Sequence, residues 1–501
     1  MVISSMQINT NLFAEAEAVA ILARLRAFLA PRDIECYLVG GYLRDGLLGR
    51  PSRDIDLAVS GDALSIAREV ADAFEAKFVP LDEIHQVARV VLFQNEERWH
   101  LDFATMRGSI EDVLGKRDFT IDAIAVKLYQ LEAGWDQVAL IDPLNGVRDL
   151  EQTLIRVASN SAFIDDPARL LRAFRLAAEL DFSIDNETEV LIQSDGELIT
   201  NVSGERVRDE LGCILETGRT ADSLRHLDRL GLLDLIIPEL AASKGVEQPK
   251  EHFWNVFDHS LETVAATEHL LVALTREGDL LDSLTFSSDL AKHFSEEIVI
   301  GRTRSGLIKL AALLHDVAKP QTKLIDKNGR MRFLGHAKQG ASIADSILGR
   351  LRFSTKEKRM VTKMIEQHLR PGHLSNASEL PTPRAIYRYF RDTADVGIDT
   401  LFLSLADHLA TRGPALEMEG WKEHVEVTQY ILSKRFGEEA TISPPKLING
   451  HDLIDKFGLA PGPRIGELLE AVREAQASGE INTEEEALAF VREELCAEEI
   501  N

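Results

Sequence analysis

Two aspartates, Asp54 and Asp56, alternate with apolar residues in a short segment that follows a double-glycine turn. In an extended strand, residues i and i+2 point to the same face, so the two carboxylates can converge. The preceding stretch, residues 38–45, is typical of a strand, a Gly40-Gly41 turn and a helix start. Paired carboxylates beside amides that can approach phosphate suit divalent metals holding a nucleoside triphosphate. An isolated D-x-D segment is more often an exposed acidic strand end.

Two further segments supply charged groups that could complete such a site. Asp102 lies on a predicted strand over residues 99–104, where its carboxylate could bind metal or accept the proton of an attacking hydroxyl. Taken alone, such a residue is more often a solvated strand residue. Arg117 and Asp118 precede a predicted helix start. Arg117 could contact triphosphate or ribose with Asp118 orienting it, or else Asp118 or Thr120 simply caps the helix.

A third segment could read a nucleobase. Asp166 suits a helix N-cap before Pro167, and Arg169, Arg172 and Arg175 recur every three residues. A carboxylate beside a guanidinium imitates a Watson–Crick edge, because one accepts and the other donates. Cytosine and adenine match that order, whereas guanine and uracil reverse it. The alternative is a solvated basic helix face.

A set of histidines and aspartates could form a metal site in the second half of the chain. His315-Asp316 interrupts an apolar helical stretch, residues 310–319, where a polar pair needs partners. Imidazole and carboxylate ligands suit a divalent transition metal with open positions for water. Histidines that only pack or form hydrogen bonds are the alternative. The other candidate ligands are His259, His336, His368 and Asp407.

The elements that must position these residues change character along the chain. Helical spacing over residues 11–30 ends at Pro31, and residues 36–105 alternate short strands with helices, including a hairpin of 87–93 and 98–105. After Leu154 the pattern is almost entirely amphipathic helix, with a polar, poorly periodic stretch over 276–306 that predicts an insertion or loop. We therefore predict an α+β fold: a small α/β head and a mostly α-helical body. The predicted segments are 1–155, 156–245, 246–413 and 414–501.

The composition and net charge of the chain argue against several classes of protein. The three cysteines lie far apart, which excludes a disulfide framework or a zinc ribbon. No apolar run approaches the roughly 20 residues of a membrane span, and no secretory signal is seen, so a cytoplasmic protein without a membrane partner is expected. The net charge of −26 argues against indiscriminate nucleic-acid binding, although local basic patches still permit an RNA partner.

A series of motifs in a fixed order resembles one enzyme family. GGYLRD, DIDLAV, KRDFTIDA, DPLNGVRDL, DDPARLLRAFR and ERVRDEL, over residues 30–240, resemble the class II tRNA nucleotidyltransferases, the CCA-adding enzymes and bacterial poly(A) polymerases. The resemblance implies a DNA polymerase beta-like nucleotidyltransferase head, followed over 156–245 by a neck that binds RNA and the nucleobase. It implies Mg²⁺ on Asp54 and Asp56, and tRNA, CTP and ATP as partners. Asp102 is predicted to be catalytic as well, from its own position on a strand. The implied nucleotide-binding residues are Gly40, Gly41, Arg44, Asp45, Arg117, Asp118, Asp166, Arg169, Arg172 and Arg175.

The histidine set resembles a second family. Its pattern over residues 250–410 is similar to the HD metal-dependent phosphohydrolase domain, which implies a divalent transition metal or Mg²⁺ and removal of phosphates or 2′,3′-cyclic phosphates. Residues 445–491 resemble the C-terminal helices of CCA-adding enzymes fused to an HD domain, which implies contact with the tRNA elbow. The implied metal ligands are His259, His315, Asp316, His336, His368 and Asp407.

Departures from the family pattern keep several functions open. Lys116 and Asp122 replace the usual Arg and Asn, and only eight residues separate Arg107 from Lys116. CCA-adding enzymes have a longer flexible loop in that interval, and CC-adding enzymes lack it. The fused HD domain favours complete CCA addition, with CC-only addition or poly(A) synthesis as alternatives. An HD phosphohydrolase with a nucleotide-sensing head and an RNA-binding scaffold are further alternatives. The oligomeric state is not predicted.

Overall fold

The computed structural model describes residues 16–133, 135, 138–274, 287–375, 380–437, 442 and 444–499. The chain divides into two compact units, residues 1–202 and 203–501. The division into four segments remains a prediction.

A six-stranded mixed sheet forms the centre of the first unit. The strands are β1 (Cys36–Val39), β2 (Asp54–Val59), β3 (Lys77–Asp82), β4 (Val87–Gln94), β5 (Glu97–Thr105) and β6 (Ala125–Lys127). Their order in the sheet is β3-β4-β5-β2-β1-β6, and only β2 and β5 of this sheet are parallel neighbours. All four residues of β1 are buried, whereas in β5 the buried Trp99, Leu101 and Phe103 alternate with less buried residues, as in a strand with one face on the core.

The predicted hairpin is confirmed, and its register matters for the site. β4 and β5 are joined at Asn95-Glu96, both with positive φ. The turn sets Arg89 opposite Asp102. On the other edge of β5, the parallel register with β2 aligns Asp56 with Asp102.

Helices flank this sheet and extend the first unit. The predicted first helix is confirmed from residue 16 onward, and residues 11–15 lie outside the described residues. A two-stranded ladder, β7 (Leu154–Ile155) with β8 (Ser183–Ile184), follows the sheet. The helices are α1 (Ala16–Leu29), α2 (Gly41–Leu47), α3 (Ala63–Phe74), α4 (Ile110–Leu114), α5 (Gly146–Glu151), α6 (Ala162–Asp165), α7 (Arg169–Leu180) and α8 (Asn186–Asp195), with 3₁₀ turns at Ala30–Arg32, Thr120–Asp122, Leu128–Ala133 and Gly196–Asn201.

The second unit is mostly α-helical. Its described strands form two small hairpins, β9 (Glu297–Val299) with β10 (Arg302–Thr303) and β11 (Lys323–Ile325) with β12 (Met331–Phe333). The helices are α9 (Gly204–Glu216), α10 (Thr220–Arg229), α11 (Leu232–Ile236), α12 (Pro238–Ala241), α13 (Val256–Ala273), α14 (Ser287–Phe294), α15 (Arg304–Leu314), α16 (Lys319–Thr322), α17 (His336–Arg350), α18 (Thr355–Gln367), α19 (Leu369–Ser375), α20 (Pro383–Thr393), α21 (Gly397–Arg412), α22 (Met418–Gly437), α23 (Gly450–Phe457), α24 (Pro463–Ala477) and α25 (Glu484–Glu499), with 3₁₀ turns at Ala394–Val396 and Gly413–Ala415.

The α+β prediction is confirmed: a mixed-sheet head is followed by a mostly helical body. The loop predicted over 276–306 is wrong where the structure describes it, because α14 and the β9–β10 hairpin lie there. Leu290, Phe294 and Ile298 are buried. These few apolar side chains are therefore enough to anchor an otherwise polar stretch in regular secondary structure. Residues 276–286 lie outside the described residues. Among the described helices, none has the length and apolarity to cross a bilayer.

Candidate functional site

The double-glycine turn brings backbone amides to the predicted metal-binding carboxylate. Gly40 has a φ of 72°, which favours glycine, and the Gly41 N–H donates to Asp56 Oδ2 at 3.2 Å. A Cβ on Gly40 would lie 2.8 Å from the same oxygen and 3.4 Å from Nη1 of Arg117. The turn, the carboxylate and the arginine therefore occupy a space that admits no side chain at position 40.

The three aspartates of the head lie on neighbouring strands. Asp54, whose side chain is 65% exposed, begins β2, and its Oδ1 lies 2.6 Å from Nδ1 of His100. Asp56 aligns with Asp102 across β2 and β5. Asp102 accepts two hydrogen bonds from Arg89, both at 2.7 Å. Because residues two apart share a strand face, the three carboxylates face the same side of the sheet.

The electrostatics of Asp56 suit a bound cation. Burial raises the pKa of Asp56 to about 6, Arg117 acts in the opposite direction, and the carboxylates of Asp102 and Asp122 raise it further. A divalent cation would compensate both the desolvation and the repulsion between carboxylates. The residues present therefore fit the predicted metal.

Two buried ion pairs order the residues around the glycine turn. Arg44 pairs with Asp45 at 3.0 Å and with Asp122 at 2.8 Å. Burial raises the pKa of Asp122 against the opposing effect of Arg44. Asp122 is one of the residues that depart from the family pattern, and Arg44 is its compensating partner.

The segment predicted to read the base contacts the Lys116–Asp118 segment. Arg169 donates through Nη2 to the Lys116 carbonyl at 3.0 Å, and through Nη1 to the Ala162 carbonyl at 3.3 Å. Arg172 pairs with Asp118 at 2.9 Å. Burial alone would raise the pKa of Asp118, but Arg172 holds it below its ordinary value. Two arginines of α7, Arg169 and Arg172, therefore bind the Lys116–Asp118 segment. Both arginines and Asp118 are among the predicted nucleotide-binding residues.

The two remaining candidates of that segment are Asp166 and Arg175. Asp166 does not begin α7, which starts at Arg169; its Oδ1 instead accepts from the Ala168 N–H at 3.2 Å. The N-cap prediction is therefore wrong by two residues, because residues 167–168 form a turn before the helix. Arg175 has its Nε 3.9 Å from Oε1 of Glu179, one turn later on α7.

In the second unit, three histidines of the predicted set are fixed through the same ring nitrogen. Each Nδ1 lies at hydrogen-bond distance from the carbonyl three residues earlier, which assigns the proton to Nδ1 and leaves Nε2 as a ligand atom. The pairs are His315 with Ala312 at 2.8 Å, His336 with Phe333 at 2.7 Å, and His368 with Ile365 at 2.7 Å.

Asp316 lies at the centre of the histidine set. Its Oδ2 is 3.1 Å from Nε2 of His315 and 3.5 Å from Nε2 of His259. Its Oδ1 is 3.4 Å from Nε2 of His336 and 4.0 Å from Nε2 of His368. The two carboxylate oxygens therefore face two different pairs of imidazoles.

The set divides into two groups that could each hold an ion. One consists of His259, His315 and Asp407, and the other of Asp316, His336 and His368; within each group the ligand atoms lie within 4.8 Å of one another. Asp407 Oδ1 is 3.0 Å from Nε2 of His259. All six predicted ligands are thus brought together.

Burial makes this centre dependent on compensating charge. Burial alone would raise the pKa of Asp316, but His315 and Lys319 hold it well below its ordinary value. Burial lowers the pKa of His368 to about 4. Among the described residues, the buried Nε2 of His315 and both oxygens of Asp316 find no hydrogen-bond partner of normal geometry. Such atoms are what a divalent metal would satisfy, so the donor set fits the group.

Sequence reasoning missed three residues that touch these sites. Lys319 forms an ion pair with Asp316, three residues earlier, and that i, i+3 spacing was a usable signal. Arg89 was also accessible, because the predicted hairpin register already places it opposite Asp102. His252 was not among the predicted ligands, and its ring centroid lies 5.5 Å from that of His259. No local signal in the sequence indicates that contact.

Four family models match consecutive parts of the chain. They are the poly A polymerase head domain at residues 36–156, the probable RNA and SrmB-binding site of polymerase A at 181–244, the HD domain at 256–412 and the tRNA nucleotidyltransferase domain 2 at 422–491.

Curated relatives match nearly the whole length. The A-adding tRNA nucleotidyltransferase of Deinococcus radiodurans is 33% identical over 94% of this chain and 98% of its own. The CC-adding tRNA nucleotidyltransferase of Thermus thermophilus is 33% identical over 93% of this chain and 94% of its own. The relatives are therefore divided in nucleotide specificity.

Solved structures share the fold. The Thermotoga maritima CCA-adding enzyme complexed with tRNA aligns with a TM-score of 0.60 and 24% identity over 95% of each chain. CCA-adding enzyme structures with ATP and with CTP align with TM-scores of 0.63 and 0.62, each at 24% identity, over 96% and 97% of each chain. Homologous enzymes thus bind tRNA, ATP and CTP. With its head, RNA-binding and HD segments in that order, this chain belongs to the class II tRNA nucleotidyltransferases, the family of CCA-, CC- and A-adding enzymes.

Proposed function

We propose that this enzyme adds two cytidines to tRNA 3′ ends and leaves the terminal adenosine to a separate enzyme. The sequence favoured complete CCA addition, and the geometry of the interval between Arg107 and Lys116 supports the shorter product. That interval contains a short helix, α4. Its N-terminus is capped by reciprocal hydrogen bonds between Ser109 and Asp112.

The helix is also held by packing. Ile110 and Leu114 are buried in a cluster with Tyr37, Val39 and Ala125 of the sheet. Since Asp166 and Arg169 can pair with cytosine or adenine, a switch between them requires the surrounding walls to move. A short capped helix anchored in the core supplies little movement, so the pocket stays fitted to cytosine.

The roles proposed for the head follow from its contacts. Asp54 and Asp56 hold the metals, and the Gly40-Gly41 turn receives the triphosphate close to the backbone. Arg117 lies on the same side and offsets phosphate charge. When bound, Mg²⁺ supplies charge neutralisation for the triphosphate and the developing alkoxide.

Asp102 is proposed to take the proton of the tRNA 3′ hydroxyl. The bidentate contact with Arg89 holds this carboxylate in position opposite Asp56. The oxygen of the 3′ hydroxyl then forms a bond to the α-phosphorus, and pyrophosphate leaves. Asp118, fixed by Arg172, orients Arg117, and Asp166 with Arg169 reads the base.

The test uses three tRNA transcripts that end before CCA, after the first C and after CC. Each is incubated with CTP, ATP or both, and the ends are sequenced. We expect products that stop at CC, and no adenosine on the transcript that already carries CC. Addition of A alone to that transcript would assign an A-adding enzyme; complete CCA ends would restore the activity that the sequence favoured; repeated A would indicate a poly(A) polymerase.

A second activity is proposed for the HD domain: hydrolysis of phosphate esters at a two-metal centre. The observation that favours it is Asp316, whose two oxygens face separate histidine pairs. Of the six side chains, Asp407 is the most exposed at 24%, and it lines a cavity of about 320 Å³ with Ser404, His408 and Arg412. That volume suits a small ligand rather than a polymer.

The hydrolase test uses bis-p-nitrophenyl phosphate and 2′,3′-cyclic AMP with manganese, nickel, cobalt or magnesium. His315→Ala is expected to abolish hydrolysis and to leave nucleotide addition unchanged. His269→Ala, an exposed histidine on the same helix as His259, is the matched control. A full-length protein that hydrolyses neither substrate with any of these metals would reject the second activity.

A further inference from the structure

A row of arginines on α20 faces a row of glutamates in the C-terminal helices. Arg384, Arg388 and Arg391, here called the arginine row, are spaced i, i+4 and i+7 and so share one helix face. Glu470 and Glu474 of α24 and Glu480 just beyond it form the carboxylate row.

The two rows are paired along their length, and Arg391 contacts Glu474 at 3.0 Å in addition to Glu470. Tyr387 adds a hydrogen bond from its hydroxyl to Glu470 at 3.1 Å. The ion pairs are Arg384 with Glu480 at 3.0 Å, Arg388 with Glu474 at 2.8 Å and Arg391 with Glu470 at 2.8 Å.

The helices that carry the carboxylate row have a core of their own. A buried cluster consists of Ile448, Leu453, Leu468, Val472, Ala475, Ile481, Ala487 and Val491, all from residues 445–499. The ion pairs are partly exposed instead: the side chains of Arg388 and Glu474 are 49% and 13% exposed, and those of Arg384 and Glu480 are 39% and 54% exposed. Exposed ion pairs stabilise weakly and lose strength with salt. The contact between the rows can therefore open while residues 445–499 keep their fold.

We propose that the arginine row is a binding surface for RNA phosphates, covered by the carboxylate row until RNA displaces it. The choice of RNA rests on the proposed function, in which tRNA is the substrate. Guanidinium binds carboxylate and phosphate with the same bidentate geometry. At 1.5 Å per residue, the row spans about 10 Å along the helix, the length of a few nucleotides.

The net charge of the chain indicates what this exchange does for RNA binding. With a net charge of −26, the enzyme repels polyanions in general. A covered arginine row adds no attraction until an RNA is already held elsewhere on the protein. Replacing one set of anionic partners by another keeps the arginines paired, and counterions released from the RNA favour the exchange.

The test compares full-length variants in binding a tRNA transcript that ends before CCA, at several NaCl concentrations. E470Q/E474Q/E480Q uncovers the arginine row, and R384A/R388A/R391A opens the same contact but removes the arginines. E485Q/E493Q/E494Q is the matched control, because it removes three exposed carboxylates of the neighbouring helix α25, outside the row. Circular dichroism checks that each variant is folded.

We expect the uncovered variant to bind at least about 5-fold more tightly than the control variant, with a salt dependence steeper by about two to three phosphate contacts. The arginine variant should show no gain, and combining both sets should cancel it. Equal affinity of the uncovered and control variants, or a gain in the arginine variant as well, would overturn the proposal. Nucleotide addition by the unmutated enzyme is measured in parallel, so that failure of the proposed function is seen separately.

Discussion

Asp56 and Asp102 lie opposite each other on the parallel strands β2 and β5, yet they have different partners. Asp56 accepts from the Gly41 amide at 3.2 Å, whereas Asp102 is held by two 2.7 Å hydrogen bonds from Arg89. One carboxylate therefore lies against the glycine turn and the other is fixed by a cation. This difference supports the roles proposed for them, metal ligand for Asp56 and proton acceptor for Asp102.

Replacing either metal-binding aspartate should abolish nucleotide addition without unfolding the head. We expect Asp54→Ala and Asp56→Ala each to lower the rate by at least about 100-fold, as for loss of one strong electrostatic contact to the transition state. Asp72→Asn, on an exposed position of α3, is the control. Incorporation of radiolabelled CTP gives the rate, and near-normal incorporation by Asp54→Ala or Asp56→Ala would reject the site.

The two glycines of the turn should respond differently to the same added methyl group. Gly40→Ala places a Cβ 2.8 Å from Asp56 Oδ2 at a φ of 72°, whereas Gly41→Ala meets its nearest atom at 3.4 Å. A residue strained in that way costs about 1–3 kcal/mol. We expect Gly40→Ala to lose most activity and some stability, and Gly41→Ala to retain more of both. Steady-state kinetics and thermal unfolding of the two variants test the difference; equal losses would contradict it.

Arg44 should stabilise the head mainly by compensating its two carboxylates. Arg44→Met leaves Asp45 and Asp122 without that cation, and breaking a buried pair costs about 3–5 kcal/mol. Adding Asp122→Asn should recover part of the loss, because the stranded charge is then removed. Urea unfolding of the single and double variants measures this coupling. Additive effects would show that the two residues do not interact.

The contacts near in sequence were predictable and those far apart were not. The hairpin turn at Asn95-Glu96 fixes the pairing of Arg89 with Asp102. By contrast, Arg44 meets Asp122 from 78 residues away. Such pairs depend on how separate elements pack, which no local pattern encodes. The start of α7 was misplaced for a related reason: Asp166 has cap chemistry, but its side chain closes a turn before the helix.

Substitution of the base-reading pair should relax nucleotide choice rather than stop chemistry. Asp166→Ala and Arg169→Ala remove the acceptor and donor proposed to match the cytosine edge. We expect lower CTP selectivity and measurable UTP or GTP incorporation. Arg98→Ala, at an exposed position of β5, is the control for loss of a positive charge. Competition between CTP and UTP provides the measurement, and unchanged selectivity in both variants would refute this assignment.

The division of the HD centre into two ligand groups predicts how many metals it binds. His336 and His368 face Asp316 Oδ1, while His259 and His315 face Oδ2. With its six ligands intact, the HD domain should therefore retain two manganese ions per chain. The count is made in an Asp54→Ala/Asp56→Ala background, so that the head does not contribute. His336→Ala/His368→Ala should reduce the count to one, because the first group keeps its three ligands. Asp316→Asn should weaken both ions, since one carboxylate oxygen serves each group, and His269→Ala should change nothing. Equilibrium dialysis with elemental analysis gives these counts. A single ion in the unmutated domain, lost entirely in the double histidine variant, would mean that all six residues hold one metal.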